Sequence, residues 1–123
     1  MNLIRTLVLM LVTLAGTALA AQPKIKSAQD HLHAALRHVI NSGNEKPGKH
    51  LDSAATALQM AQTQLENAKK NKGSHTHVAL QKIQAALKEV ELTRKNASNR
   101  DKAIEQIKAA IAEVQEARQA GAN

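Results

Sequence analysis

Small apolar residues recur at alternating spacings of three and four along this chain, and this period constrains the fold more than any other feature. The clearest run alternates leucine with alanine: Leu51, Ala54, Leu58, Ala61, Leu65 and Ala68. Residues three and four positions apart share one face of an α-helix, so the run predicts a helix with a single apolar seam. After residue 20, no segment alternates at the period of two that a half-buried β-strand requires.

The same helical period appears in four segments separated by short turns. It predicts helices at about 28–41, 49–70, 75–96 and 99–119, after a linker at 21–26. Short connections between amphipathic helices make consecutive helices antiparallel neighbours. The sequence therefore predicts an all-α fold, an antiparallel up-down-up-down four-helix bundle over residues 27–121.

Helix starts and an internal repeat support this division. Two Ser-x-x-Asp pairs, Ser27 with Asp30 and Ser98 with Asp101, match the capping pattern of a helix start. Residues 79–90 resemble residues 103–114 at an offset of 24 positions. One helix with its turn is therefore predicted to be a duplicated unit.

The first twenty residues have the order of a secretory signal peptide. Arg5 precedes an uncharged stretch from residue 6 to residue 19, and the segment ends in Ala18-Leu19-Ala20. The apolar stretch is shorter than the roughly 20 residues that span a bilayer. We therefore expect cleavage after Ala20, a periplasmic location, and no stable membrane insertion after cleavage.

The composition excludes several classes of function. The chain has no Cys, Phe, Tyr or Trp, so it lacks disulfides, a thiol nucleophile and the aromatic platforms on which single-stranded nucleic acids stack. It also lacks a glycine-rich phosphate loop and a His-Glu-x-x-His zinc motif. Neither an enzyme nor a nucleic-acid partner is expected, although cleavage would leave a formal net charge of +6.

Histidine is the residue type that points to a function. The starts of the first and third predicted helices share one end of the bundle, so His31, His33, His75 and His77 should gather there with Asp30. His38 and His50 should meet at the opposite end, close to Glu45 and Asp52. Neutral imidazole is a good ligand for copper, nickel and zinc. The hypothesis is a protein that binds Cu(II), Ni(II) or Zn(II) and has no organic cofactor.

The spacing of the histidines weakens this hypothesis. No two of them lie three or four residues apart, so no helix offers a ready His–His chelate. Side chains two positions apart on a helix point about 200° away from each other. Only Asp30 and His33 form a good intrahelical pair, and exposed histidines at helix ends are common in proteins that bind no metal.

Two segments resemble a known family. Residues 73–88 carry His75 and His77 at the start of an amphipathic helix, and residues 35–38 form an Ala-Leu-Arg-His run. Both are similar to the small metal-binding protein family of the bacterial periplasm. The resemblance implies a four-helix bundle that binds divalent metals, copper among them, and buffers or scavenges them. This chain departs from the family because its fourth helix has no histidine and Glu89, not His, follows Lys88.

A second class of function stays open. A helical bundle of this charge suits a structural or interaction role in the periplasm, with a protein partner or with weak contact to the anionic envelope surface. The lysines that would make such a contact are equally suited to a solvated surface. The Ala-rich seam of the second helix fits packing within one chain or between two, so both a monomer and a homodimer agree with the sequence.

Overall fold

The computed structural model describes residues 23–68 and 74–122, and it confirms the all-α, four-helix fold. Helix α1 covers residues 23–41, α2 Pro47–Ala68, α3 Ser74–Lys95 and α4 Arg100–Ala122. A 3₁₀ turn, Ala97–Asn99, joins α3 to α4, and the described residues contain no strand. The predicted signal peptide at 1–20 lies outside the described residues.

One apolar core joins the four helices, and it follows the predicted seams. All six residues of the leucine–alanine run on α2 are buried. The other helices contribute Leu32 and Val39, Ile83 and Val90, and Ile107 and Val114, all of them fully buried. Leucine and isoleucine on the flanks of these seams are partly buried and pack against the core. Alanines supply much of the rest, and their small side chains let helix axes approach closely.

Helix α1 is already helical at residue 23, five residues before the predicted start. The reason is Ile25, which is fully buried and continues the seam of Ala28 and Leu32 by one more turn. The segment 21–26 is therefore not a linker over its described part. Ser27 lies inside the helix instead of capping it, and Asp30 forms an exposed ion pair with Lys26 at 3.3 Å.

The starts of α2 and α4 also differ from the predictions. Helix α2 begins at Pro47. Proline suits a helix start because it lacks the backbone N–H that would have no partner there. His50 is the fourth residue of this helix. Before α4, the side chain of Asn96 accepts a hydrogen bond from the Ser98 backbone N–H at 3.0 Å. Asn96, not Ser98, therefore caps this segment, and Asp101 lies in the first turn of α4.

Polar contacts define the two ends of the bundle. Arg100 at the start of α4 contacts Ser42, just after α1, and Arg94 near the end of α3 pairs with Asp52 near the start of α2. These residues and the 42–46 turn form what we call the turn end. Gln29 near the start of α1 accepts a hydrogen bond from Arg118 near the end of α4, at the opposite, far end. Such contacts fit the antiparallel course that the short turns predict.

In the described part of the chain, no helix combines the length and hydropathy needed to cross a membrane.

Candidate functional site

His38 and His50 face each other at the turn end. Their Nδ1 atoms are 3.2 Å apart, and their ring centroids are 5.5 Å apart with the planes tilted by 35°. His38 lies in the last turn of α1 and His50 in the first turn of α2, with both rings partly buried. The turn at 42–46 reverses the chain and brings together two side chains that are twelve residues apart in sequence.

The surroundings of His38 favour a neutral imidazole. Partial burial lowers the pKa of His38 below its ordinary value, and the nearby charges of His50 and Arg37 lower it further. Two facing Nδ1 atoms cannot both carry a proton at 3.2 Å without two N–H groups pointing at each other. At least one of these nitrogens is therefore unprotonated and accepts the hydrogen bond, and both would have to be unprotonated to bind one metal ion.

Glu45 lies on the other side of the His50 ring. Its Oε1 is 3.9 Å from His50 Nε2, a charge contact longer than a hydrogen bond. A carboxylate at Nε2 favours the proton on that nitrogen and leaves the Nδ1 lone pair directed at His38. Asp52, which was also expected near this pair, instead contacts Arg94 with its Oδ1 at 2.5 Å.

The distance between the two Nδ1 atoms is close to the distance between two neighbouring ligand atoms on one metal ion. Imidazole nitrogens bind zinc at about 2.0–2.1 Å, so two of them lie ~3.3 Å apart at a tetrahedral angle and ~2.9 Å apart at a right angle. The observed 3.2 Å lies between these values. The pair therefore has the nitrogen–nitrogen separation of two neighbouring ligands on one ion, which is also that of a hydrogen bond between two imidazoles.

The far end holds a different contact. His75 Nδ1 lies 2.8 Å from Glu113 Oε2, a distance at which the imidazole N–H donates to the carboxylate. The His75 ring is 46% exposed. His77 is exposed and has Gln81 3.4 Å from its Nε2.

The four histidines predicted at the far end do not converge with Asp30. In residues 23–68 and 74–122, no three His, Asp or Glu side chains are placed to hold one ion. Helix geometry explains this, because residues two apart, such as His31 and His33, point to different sides of one helix. His33 is exposed, and His31 is partly buried.

Sequence reasoning missed the role of Glu113. The side chain of Glu113 is 30% exposed and is the hydrogen-bond partner of His75. The two residues are 38 positions apart, so no local spacing links them. The contact places the start of α3 beside the later turns of α4.

No family model, curated protein or solved structure matches the chain. The resemblance to the small metal-binding proteins therefore stays a prediction from residues 35–38 and 73–88.

Proposed function

We propose that this chain is an exported periplasmic protein that binds a divalent transition metal, Cu(II), Ni(II) or Zn(II), to buffer or scavenge it. The observation that carries the proposal is the 3.2 Å separation of His38 Nδ1 and His50 Nδ1. It fits two imidazole ligands on one ion, and imidazole suits these metals. Of the predicted ligands, His38 and His50 are the ones that this geometry favours.

A two-histidine site suits reversible binding better than permanent retention. Structural zinc sites are closed by four protein ligands, whereas a site with two ligands leaves positions for water. An ion held in this way exchanges readily with its surroundings, as a buffering or scavenging role requires. Glu45 would act on the proton of His50 and not as a ligand, because it lies beside Nε2.

His75 is a weaker, separate candidate ligand. In a neutral ring whose Nδ1–H donates to Glu113, Nε2 is the nitrogen that can bind a metal ion, and this ring is half-exposed. A single imidazole holds a divalent ion weakly. We therefore propose that His75 adds at most a low-affinity contact, independent of His38 and His50 because it lies at the other end of the bundle.

Calorimetric titration with Cu(II), Ni(II) and Zn(II) tests the proposal on the untagged chain from Ala21 to Asn123, which contains all the described helices. We expect micromolar or tighter binding of one ion, lost in both His38→Ala and His50→Ala. The matched control is His33→Ala, because His33 is exposed and has no side-chain hydrogen bond or ion pair in the described part of the chain. Equal losses in all three variants would contradict a chelate at the turn end.

Export is tested separately. The mass of the protein recovered from the periplasm of a bacterial host should correspond to a chain that begins at Ala21. A protein that keeps residues 1–20, or that stays in the cytoplasm, would contradict the proposed location. Export without metal binding would favour the alternative, a structural or interaction bundle.

A further inference from the structure

The outward face of α2 carries a shallow groove. It has a volume of about 280 Å³ and is lined by Thr56, Gln59, Met60, Thr63 and Gln64. These residues lie opposite the buried leucine–alanine seam, so the seam is occupied within the chain while this second stripe faces outward. Met60 is 47% exposed, more than any other large hydrophobic residue of the described chain.

This face has no charge. Residues 53–65 contain no Asp, Glu, Lys or Arg, whereas the other helices have at most eight consecutive residues without one. A solvent-exposed helix face normally carries charged side chains. The chain from Ala21 to Asn123 has a formal net charge of +6, so two copies repel each other on average. The outer face of α2 is where two copies can meet without bringing like charges together.

The groove also has the spacing of a helix-packing site. Thr56, Gln59, Met60 and Thr63 stand at positions i, i+3, i+4 and i+7, the four positions that form a hole for a side chain of a facing helix. The Thr63 hydroxyl donates to the Gln59 carbonyl at 3.1 Å. Because this bond occupies the only polar group of the Thr63 side chain, its methyl group remains for packing.

We propose that this face binds the same face of a second copy, with the two α2 helices antiparallel. The four residues are symmetric about the midpoint between Gln59 and Met60. A two-fold axis through that midpoint sets Thr56 opposite the partner's Thr63 and Gln59 opposite the partner's Met60. The same patch on both subunits is the requirement for a closed, two-fold dimer. This inference goes beyond the proposed metal binding and does not depend on it.

The dimer is weak and salt-dependent. Two helices in contact over about three turns bury less surface than the roughly 1,200–2,000 Å² of a stable interface. The net positive charge of each copy opposes association, and added salt screens that repulsion. We expect dissociation constants in the high micromolar range that become lower at higher ionic strength.

Sedimentation equilibrium of the chain from Ala21 to Asn123, over micromolar to millimolar concentrations, tests this inference. We expect a monomer–dimer equilibrium that Met60→Glu abolishes. Leu92→Glu is the matched control, because Leu92 is also an exposed hydrophobic residue but lies on α3. A chain that stays monomeric at millimolar concentration and high salt, or a dimer that Met60→Glu leaves intact, would overturn the proposal. Circular dichroism at 222 nm checks that each variant keeps its helices.

A charge exchange tests the antiparallel order. Thr56→Glu alone should weaken the dimer at least tenfold, because it places an unpaired carboxylate in the contact. Thr56→Glu combined with Thr63→Lys should restore it, since each glutamate then faces the partner's lysine. In a parallel dimer each residue would face the same residue of the partner, so glutamate would face glutamate and lysine would face lysine. The double variant would then dimerise as weakly as the single variant. That result would refute the arrangement proposed.

Discussion

Arg100, the first residue of α4, forms hydrogen bonds with Ser42, the first residue after α1. Arg100 Nε donates to Ser42 Oγ at 3.0 Å, and Arg100 Nη2 lies 3.4 Å from the Ser42 carbonyl oxygen. The Ser42 hydroxyl in turn donates to the Val39 carbonyl at 2.5 Å, and Ser42 is only 2% exposed. This buried serine therefore ends α1 and ties the 42–46 turn to α4. The turn sets the distance between His38 and His50.

Ser42→Ala should destabilise the bundle. It removes the donor to the Val39 carbonyl and the acceptor of Arg100 Nε, so buried polar groups lose their partners. The expected loss is about 1–3 kcal/mol in the free energy of unfolding. Urea unfolding followed at 222 nm measures it. The control is Ser53→Ala on α2, a partly buried serine without a side-chain hydrogen bond in the described residues, which should change stability by less than about 0.5 kcal/mol.

His38 should make the stability of the bundle depend on pH. Its pKa in the folded chain is lowered, so the unfolded chain binds the proton more readily and protonation favours unfolding. The stability that depends on neutral His38 is fully present above the ordinary pKa of 6.5. It is lost as the pH falls through the lower pKa of His38 in the folded chain. His50 and Arg37 act in this direction, while the carboxylate of Glu45 lies on the far side of the His50 ring.

Thermal unfolding of His38→Gln between pH 7.5 and pH 5 measures this effect. The wild-type melting temperature should fall on acidification more steeply than that of His38→Gln, which has no titrating group at this position. His33→Gln is the matched control, since it makes the same change at an exposed histidine. Parallel curves for the wild type and His38→Gln would contradict the role given to His38.

The helices and their core could be predicted because burial leaves a local, repeating pattern. Leu58, Ile83 and Ile107 all stand on seams that the spacing of three and four identifies, and all three are fully buried. Helix starts were harder to predict. Ile25 follows Pro23 and lies between two lysines, a local context that indicates a linker, yet its burial against the other helices extends α1.

The candidate site was only partly predictable. The meeting of His38 and His50 follows from two helices joined by a short turn, and the sequence predicted it. The predicted far-end cluster does not form from His31, His33, His75 and His77. These residues share one end of the bundle, but that position does not determine to which side of its helix each side chain points. The His75–Glu113 contact depends on the register between α3 and α4, which no local pattern encodes.

Thr76→Val should stabilise the protein. Thr76 is 1% exposed, and among the described residues its hydroxyl has no hydrogen-bond partner. Valine has nearly the same shape and removes a buried polar group that gains nothing in the folded state, so a gain of about 1–2 kcal/mol is expected.

Thr93→Val is the matched control for that substitution. Thr93 is 4% exposed, but its hydroxyl donates to the Glu89 carbonyl at 2.7 Å. Removing this bond should leave stability unchanged or lower it by up to about 1 kcal/mol. Equal changes in the two variants, measured by urea unfolding, would show that the Thr76 hydroxyl also has a partner in the folded chain.

Ile25→Ala tests whether residues 23–27 belong to the folded bundle. Ile25 is fully buried, so truncation removes apolar contacts and leaves a cavity, at an expected cost of about 2–4 kcal/mol. Ile40→Ala is the matched control, because it makes the same change on the same helix at a side chain that is 45% exposed, where the cost should stay below about 1 kcal/mol. If residues 21–26 were a linker, the two variants would unfold at the same urea concentration. A lower midpoint for Ile25→Ala alone establishes that the first turn of α1 contributes to the core.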